Sequence, residues 1–279
     1  MADLPEDRMS AAPPFTHCAV DYFGPLMVKE GRKDLKRYGV LFTCLSSRAV
    51  HLESAISVET DSFVNALRRF IARRGPVKSM RSDQGTNLVG AVNELRENLK
   101  KMDQEKVKEY LLRHRSADWL PQWSFNPPSA SHMGGSWERL IRTTRTILVA
   151  LTREQGHVLN DESLRTLLAE VENIVNSRPL TFPTDDPQDL SGPLTPNHLL
   201  TTKSKVVLPP PGEFQTEDMY SRKQWRRVQY LTEVFWSRWK REYLQTLQVR
   251  GKWNRPQRNV KVGDIVLVKM KERPEIHGP

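Results

Sequence analysis

The sequence predicts a mixed α/β fold, a single sheet flanked by helices, followed by a basic helical segment and a truncated β-barrel-like C-terminal piece. Three observations lead to it. Three strand-like apolar runs come first at short spacing, helices then alternate with strands, and two long amphipathic helices follow. Hydrophobic residues make up 38% of the 279, enough for a core. No apolar run approaches the roughly 18 residues that a membrane-spanning helix needs.

Residues 15–23 (FTHCAVDYF) alternate as a strand, with His17, Ala19 and Asp21 on one face and Cys18, Val20 and Tyr22 on the other. Gly24-Pro25 is read as its end. Residues 38–50 (YGVLFTCLSSRAV) open on a nearly continuous apolar run, as a central strand does, and HLESAI follows as a third strand. Their close spacing predicts an antiparallel meander. Phe63, Ala66, Leu67, Phe70 and Ile71 then mark one face of a helix, with Thr60 as N-cap and Arg73-Arg74-Gly75-Pro76 as stop.

The next strand, VKSM, runs straight into Asp83, and residues 87–115 are charged and helical in pattern. WSFNP is a further strand ahead of the loop PSASHMGG. A helix from about Ser136 to Gln155 presents Leu140, Ile141, Ile147, Leu148 and Leu151, and a second, capped at Asn160, presents Leu164, Leu167, Leu168, Val171 and Val175 before stopping ahead of Pro179. The proline-rich VVLPPPGEF reads as a boundary. Beyond it, residues 217–249 form a long candidate helix with Val228, Leu231, Phe235, Trp239 and Tyr243 on one stripe, and NVKVGDIVLVKM reads as a strand with a turn at Gly263-Asp264. The expected organisation is an N-terminal extension (1–12), a core (13–200), a proline-containing linker (201–216) and a basic C-terminal segment (217–279).

Charge is unevenly spread. Residues 201–279 hold 17 Lys+Arg against 8 Asp+Glu, whereas the first 200 hold 26 against 25. A basic tail on a nearly neutral core suggests a polyanion partner, nucleic acid ahead of membrane because no basic amphipathic anchor is evident. MADLPEDRMSAAPP lacks the apolar stretch of a secretory signal, so a nuclear or cytoplasmic setting is expected. Cys18 and Cys44 form no CxxC pair, which argues against a cysteine-based zinc site and a disulfide framework.

Asp21, Asp83 and Glu138 stand at junctions between an apolar run and a turn, or at the start of a helix. Taken singly, each has an ordinary explanation. An Asp at a strand end is usually a turn or capping residue, and Glu138 can pair with Arg142 at i+4. Converging at one sheet edge, three carboxylates would repel one another unless a divalent cation held them.

VDYFGP, RSDQGTN and SHMGGSWERLIRTTR resemble the core of retroviral-type integrases, which have the RNase H-like fold. NDESLRTLLAEVENIVNSRPLT and GPLTPNHLL look like the BEL/Pao class of LTR retrotransposon integrases. The resemblance covers residues 13–200 well and continues weakly into the tail. It implies that the D-D-E triad falls on Asp21, Asp83 and Glu138, binding Mg²⁺ or Mn²⁺. The implied reaction is DNA end processing and strand transfer without a covalent enzyme intermediate. Asp83 and Glu138 are separated by 54 residues, longer than the familiar retroviral spacing and similar to BEL/Pao elements.

The resemblance further implies double-stranded DNA as partner, both element ends and target, and a homo-oligomer when the protein is complete. Arg142 and Arg145, at i+4 and i+7 from Glu138, would grip phosphates, or form an ordinary solvated face. His132 would orient DNA or pack in its loop, and Asn87 would contact DNA or cap a helix. Arg222, Lys223, Arg226 and Arg227 are the expected DNA footprint of the tail, while Phe235 and Trp239 are expected in the core. No His-His-Cys-Cys module lies upstream of the triad, and the C-terminal domain is expected to be incomplete. A domesticated, non-catalytic DNA- or chromatin-binding protein is therefore the alternative reading, with a structure-specific nuclease third.

Overall fold

The computed structural model describes Met9 and residues 11–82, 122–125, 135–155, 159–181, 193–203 and 214–247. The elements are β1 (His17–Glu30), β2 (Lys33–Cys44), β3 (Val50–Ala55), α1 (Thr60–Arg74), β4 (Ser79–Ser82), β5 (Gln122–Phe125), α2 (Gly135–Gln155), α3 (Asp161–Asn176), α4 (Pro196–Thr201), a 3₁₀ turn (Thr216–Tyr220) and α5 (Gln224–Leu247). The five strands form one sheet in the order β3-β2-β1-β4-β5. The β1–β2 and β2–β3 pairs are antiparallel, as the meander predicts, and β1–β4 and β4–β5 are parallel.

Alternation along β1 divides the core between the two faces. Cys18, Val20 and Tyr22 join Val40 and Phe42 of β2 against Phe63, Ala66, Leu67 and Phe70 of α1. On the opposite face Phe23, Leu26, Val28, Leu41 and Leu52 meet the apolar stripes of α2, α3 and α5. The stripe positions expected for α2 and α3 are all buried. Asn160 caps α3 as expected, its side chain accepting from Ser163 N at 2.8 Å.

Three local expectations are corrected. β1 does not stop at Gly24-Pro25 but continues to Glu30, because a register shift between Phe23 and Leu26 absorbs the two residues as a bulge. Proline lacks an N–H for the ladder, and a bulge is where a sheet tolerates it. Thr60 is the first residue of α1, not its cap. Glu59 holds the cap position, and Ser62 Oγ ties down the preceding turn by accepting from Ile56 N at 3.0 Å and Ser57 N at 3.2 Å. The helix expected over 217–249 is divided: the 3₁₀ turn comes first and α5 begins at Gln224. Asp218 accepts from Gln215 N at 3.1 Å, capping the start of the turn, and Arg227 Nε donates to Ser221 O at 2.6 Å, tying α5 to the chain between the two pieces.

α5 packs between α2 and α3, with Val228, Leu231, Phe235 and Trp239 inside the core cluster. The stretch expected beyond a linker therefore supplies part of the core. The helical pattern at 87–115, the barrel-like C-terminal strand and the residues of the proline-rich break other than Phe214 lie outside the described residues.

Candidate functional site

The site is built around the central strand. Asp21 lies on β1, on the same face as Phe23, and α2 packs across that face. Arg145 Nη1 reaches Asp21 Oδ2 at 2.5 Å, with side-chain exposures of 11% and 22%. The pair joins residues 124 positions apart in sequence. It is possible because Leu140, Ile141, Ile147 and Leu148 are buried on either side of Arg145, which fixes the rotation of α2 about its axis. Arg145 Nε is also buried, with no acceptor among the described residues.

Two other features adjoin Asp21. β4 lies parallel to β1 with Ser82 opposite Val20, so the described part of β4 ends at the register level just before Asp21. The next residue in the chain is Asp83, which lies outside the described residues. Glu138 belongs to α2, seven residues before Arg145. Two helical turns separate them, which places both positions on one side of the helix. The side chain of Glu138 lies outside the described residues, as do Asn87 and His132. Among the described residues, no group of three or more His, Cys, Asp or Glu could hold a metal ion.

The structure separates the two arginines that the sequence sets side by side: Arg142 is exposed to solvent, whereas Arg145 is drawn onto Asp21. Likewise, Arg222 and Lys223 are exposed ahead of α5. Arg226 forms an ion pair with Asp218 at 2.9 Å, and Arg227 bonds the Ser221 carbonyl. Trp225 is 55% exposed, with Phe214 edge-on at 6.2 Å and the Arg226 guanidinium 5.9 Å from its ring.

Sequence reasoning did not find a polar cluster at the outer edge of the sheet. His51 Nε2 lies 3.1 Å from Glu53 Oε1, and His51 Nδ1 lies 3.2 Å from Glu172 Oε2. Arg69 donates to Glu53 Oε2 at 2.7 Å, and Arg74 pairs with Glu172. The available signal was charge in the wrong place: Glu53 within a strand, and Glu172 four residues before Asn176 on a helix whose inward face is otherwise apolar.

Comparison with known proteins gives likenesses of two kinds, to a family model and to solved structures. Residues 223–278 match a family of unknown function, DUF5641. Among solved structures, the chain is similar to a chain of the simian T-cell lymphotropic virus intasome in complex with PP2A regulatory subunit B56 gamma, with 14% identity and a TM-score of 0.44. That likeness covers 77% of this chain, which spans 64% of the length of the other. No curated protein matches.

Proposed function

We propose that this chain is the catalytic core of a retroviral-type DNA integrase of the BEL/Pao class, a metal-dependent polynucleotidyl transferase that processes DNA ends and joins them to target DNA. The observation that carries the reading is the Arg145–Asp21 ion pair. It brings the helix that bears Glu138 onto the strand that bears Asp21, beside the strand that runs into Asp83. The described residues of the three strings, 20–25, 81–82 and 135–145, thus lie on β1, on its parallel neighbour β4 and on α2, which packs against β1.

The donor set fits Mg²⁺ or Mn²⁺. These are hard cations that take carboxylate oxygens, and the Asp21 side chain is 22% exposed, open to an incoming ion. Asp21, Asp83 and Glu138 would hold the ions. When bound, such ions activate a water or a DNA 3′-hydroxyl and stabilise the leaving oxygen of an in-line displacement. The chain's own cations would position the DNA: Arg142 on the exposed side of α2, and Arg222 and Lys223 ahead of α5, each binding phosphate without reading sequence. Double-stranded DNA is the proposed partner, a homo-oligomer the proposed assembly and the nucleus the proposed setting.

The reading is tested by nicking of a duplex end and joining of the new 3′-hydroxyl to a second duplex in Mn²⁺. Wild type is expected to do both. Asp21→Asn, Asp83→Asn and Glu138→Gln are each expected to lose activity almost as fully as the triple variant, because groups that position one site act as a unit. Activity surviving in any single variant removes the triad assignment.

A further inference from the structure

We infer that Arg145 is an exchangeable counter-ion. It holds Asp21 while the site is free of metal, leaves the carboxylate when a divalent cation binds, and then binds a phosphate of the incoming DNA. The inference rests on the metal-site reading proposed above and adds to it a coupling between metal and DNA.

The geometry of the pair differs from that of the bidentate pair between β2 and α3. Arg37 of β2 fastens Asp161 of α3 with the full fork, through Nε at 2.7 Å and Nη2 at 2.8 Å. Such bidentate pairs gain both strength and orientation. Arg145 meets Asp21 through Nη1, while its Nε is buried and finds no acceptor among the described residues. An unsatisfied donor on a charged group weakens the arrangement that creates it. The pair therefore balances a charge while using only part of the guanidinium's hydrogen-bonding capacity.

Electrostatics supply the exchange. A divalent cation on Asp21 would stand within a few ångströms of the guanidinium, and like charges at that range disfavour one another strongly in a partly buried site. The arginine stem has several rotatable bonds, so its head can leave Asp21 while α2 stays anchored by Ile147 and Leu148. The departing guanidinium has all its donors available, and a phosphate offers the matching pair of acceptors. By linkage, metal then tightens DNA binding, and DNA tightens metal binding by the same factor.

The test uses the 279-residue chain, with Mn²⁺ binding read by electron paramagnetic resonance and duplex binding by fluorescence anisotropy. Asp21→Asn should abolish Mn²⁺ binding; if it does not, the metal-site reading fails and the exchange fails with it. With that reading upheld, Arg145→Gln should bind Mn²⁺ about 10-fold more tightly than wild type, and Arg145→Lys should stay near wild type because the competing charge remains. A merely structural arginine gives the opposite sign, so unchanged or weaker binding in a folded Arg145→Gln overturns the exchange and leaves the metal site intact. A measurement on wild type covers the case in which that variant does not fold. Duplex affinity should rise about 5-fold or more on adding Mn²⁺, and equal affinity with and without the ion overturns the inference.

Discussion

At His51, 2% exposed, the imidazole lies between two carboxylates. Burial disfavours its charged form, but the hydrogen bonds with Glu172 and Glu53 outweigh that and hold its pKa above the ordinary histidine value, against an opposing push from Arg74. Glu53 is also partly disfavoured by burial, yet the bonds from His51 and Arg69 hold it below the usual carboxylate range. The two shifts act on opposite sides of neutrality. The raised His51 value adds stability that is fully present below about pH 6.5 and is lost as pH rises through the folded-state value. The lowered Glu53 value adds stability that is present above about pH 4.3 and is lost as pH falls through its folded-state value. His51→Gln is therefore expected to flatten the alkaline limb of a plot of Tm against pH, and Glu53→Gln the acid limb. Identical profiles for wild type and His51→Gln would show that the ring is neutral throughout. In that form Nδ1 would accept from Arg74 Nε, also 3.2 Å away.

At the scale of elements, α3 closes the exposed edge of the sheet. Val50 N donates to Asn176 Oδ1 at 2.8 Å, Asn176 Nδ2 donates to Val50 O at 2.8 Å, and Leu52 N donates to Glu172 Oε2 at 2.8 Å. Two side chains one helical turn apart thus replace the missing neighbouring strand for three backbone groups of β3. Asn176→Leu should cost about 1–3 kcal/mol for each of the two groups it orphans, read as a lower denaturant midpoint. It should also speed hydrogen exchange at Val50, and an unchanged rate there would mean that water replaces the amide at no cost. This arrangement explains what sequence patterning missed. The stripes of α2 and α3 were legible because apolar residues recur at helical spacing, and Asn160 because a cap depends on its own local backbone. The roles of Glu172 and Asn176 were not legible because their partners are on a strand some 120 residues away. The Gly24-Pro25 bulge was hidden likewise, since a strand end and a strand bulge use the same residues.

At the scale of the molecule, the position of α5 changes how the basic tail must be studied. A proline-rich break before a basic helix reads as a domain boundary, but Leu231, Phe235 and Trp239 lie at 0–2% exposure against α2 and α3. Deleting the chain from residue 213 would strip that core, so a failure to bind DNA would report unfolding. The informative change is neutralisation of cations that the fold does not use. Arg222 and Lys223 are exposed, whereas Arg226 and Arg227 are tied to Asp218 and Ser221. If the first two bind phosphate, Arg222→Gln with Lys223→Gln should weaken binding equally for all duplex sequences. The slope of log K against log salt should then flatten by about 0.9 for each phosphate no longer neutralised. The melting temperature should stay within a degree or two, since exposed substitutions away from any packed feature cost little. Arg226→Gln should instead lower the melting temperature with less effect on the slope, because its charge is already partnered by Asp218. Should the double variant keep the wild-type slope, the phosphates are bound elsewhere, and the exposed face of α2 at Arg142 becomes the place to look for them.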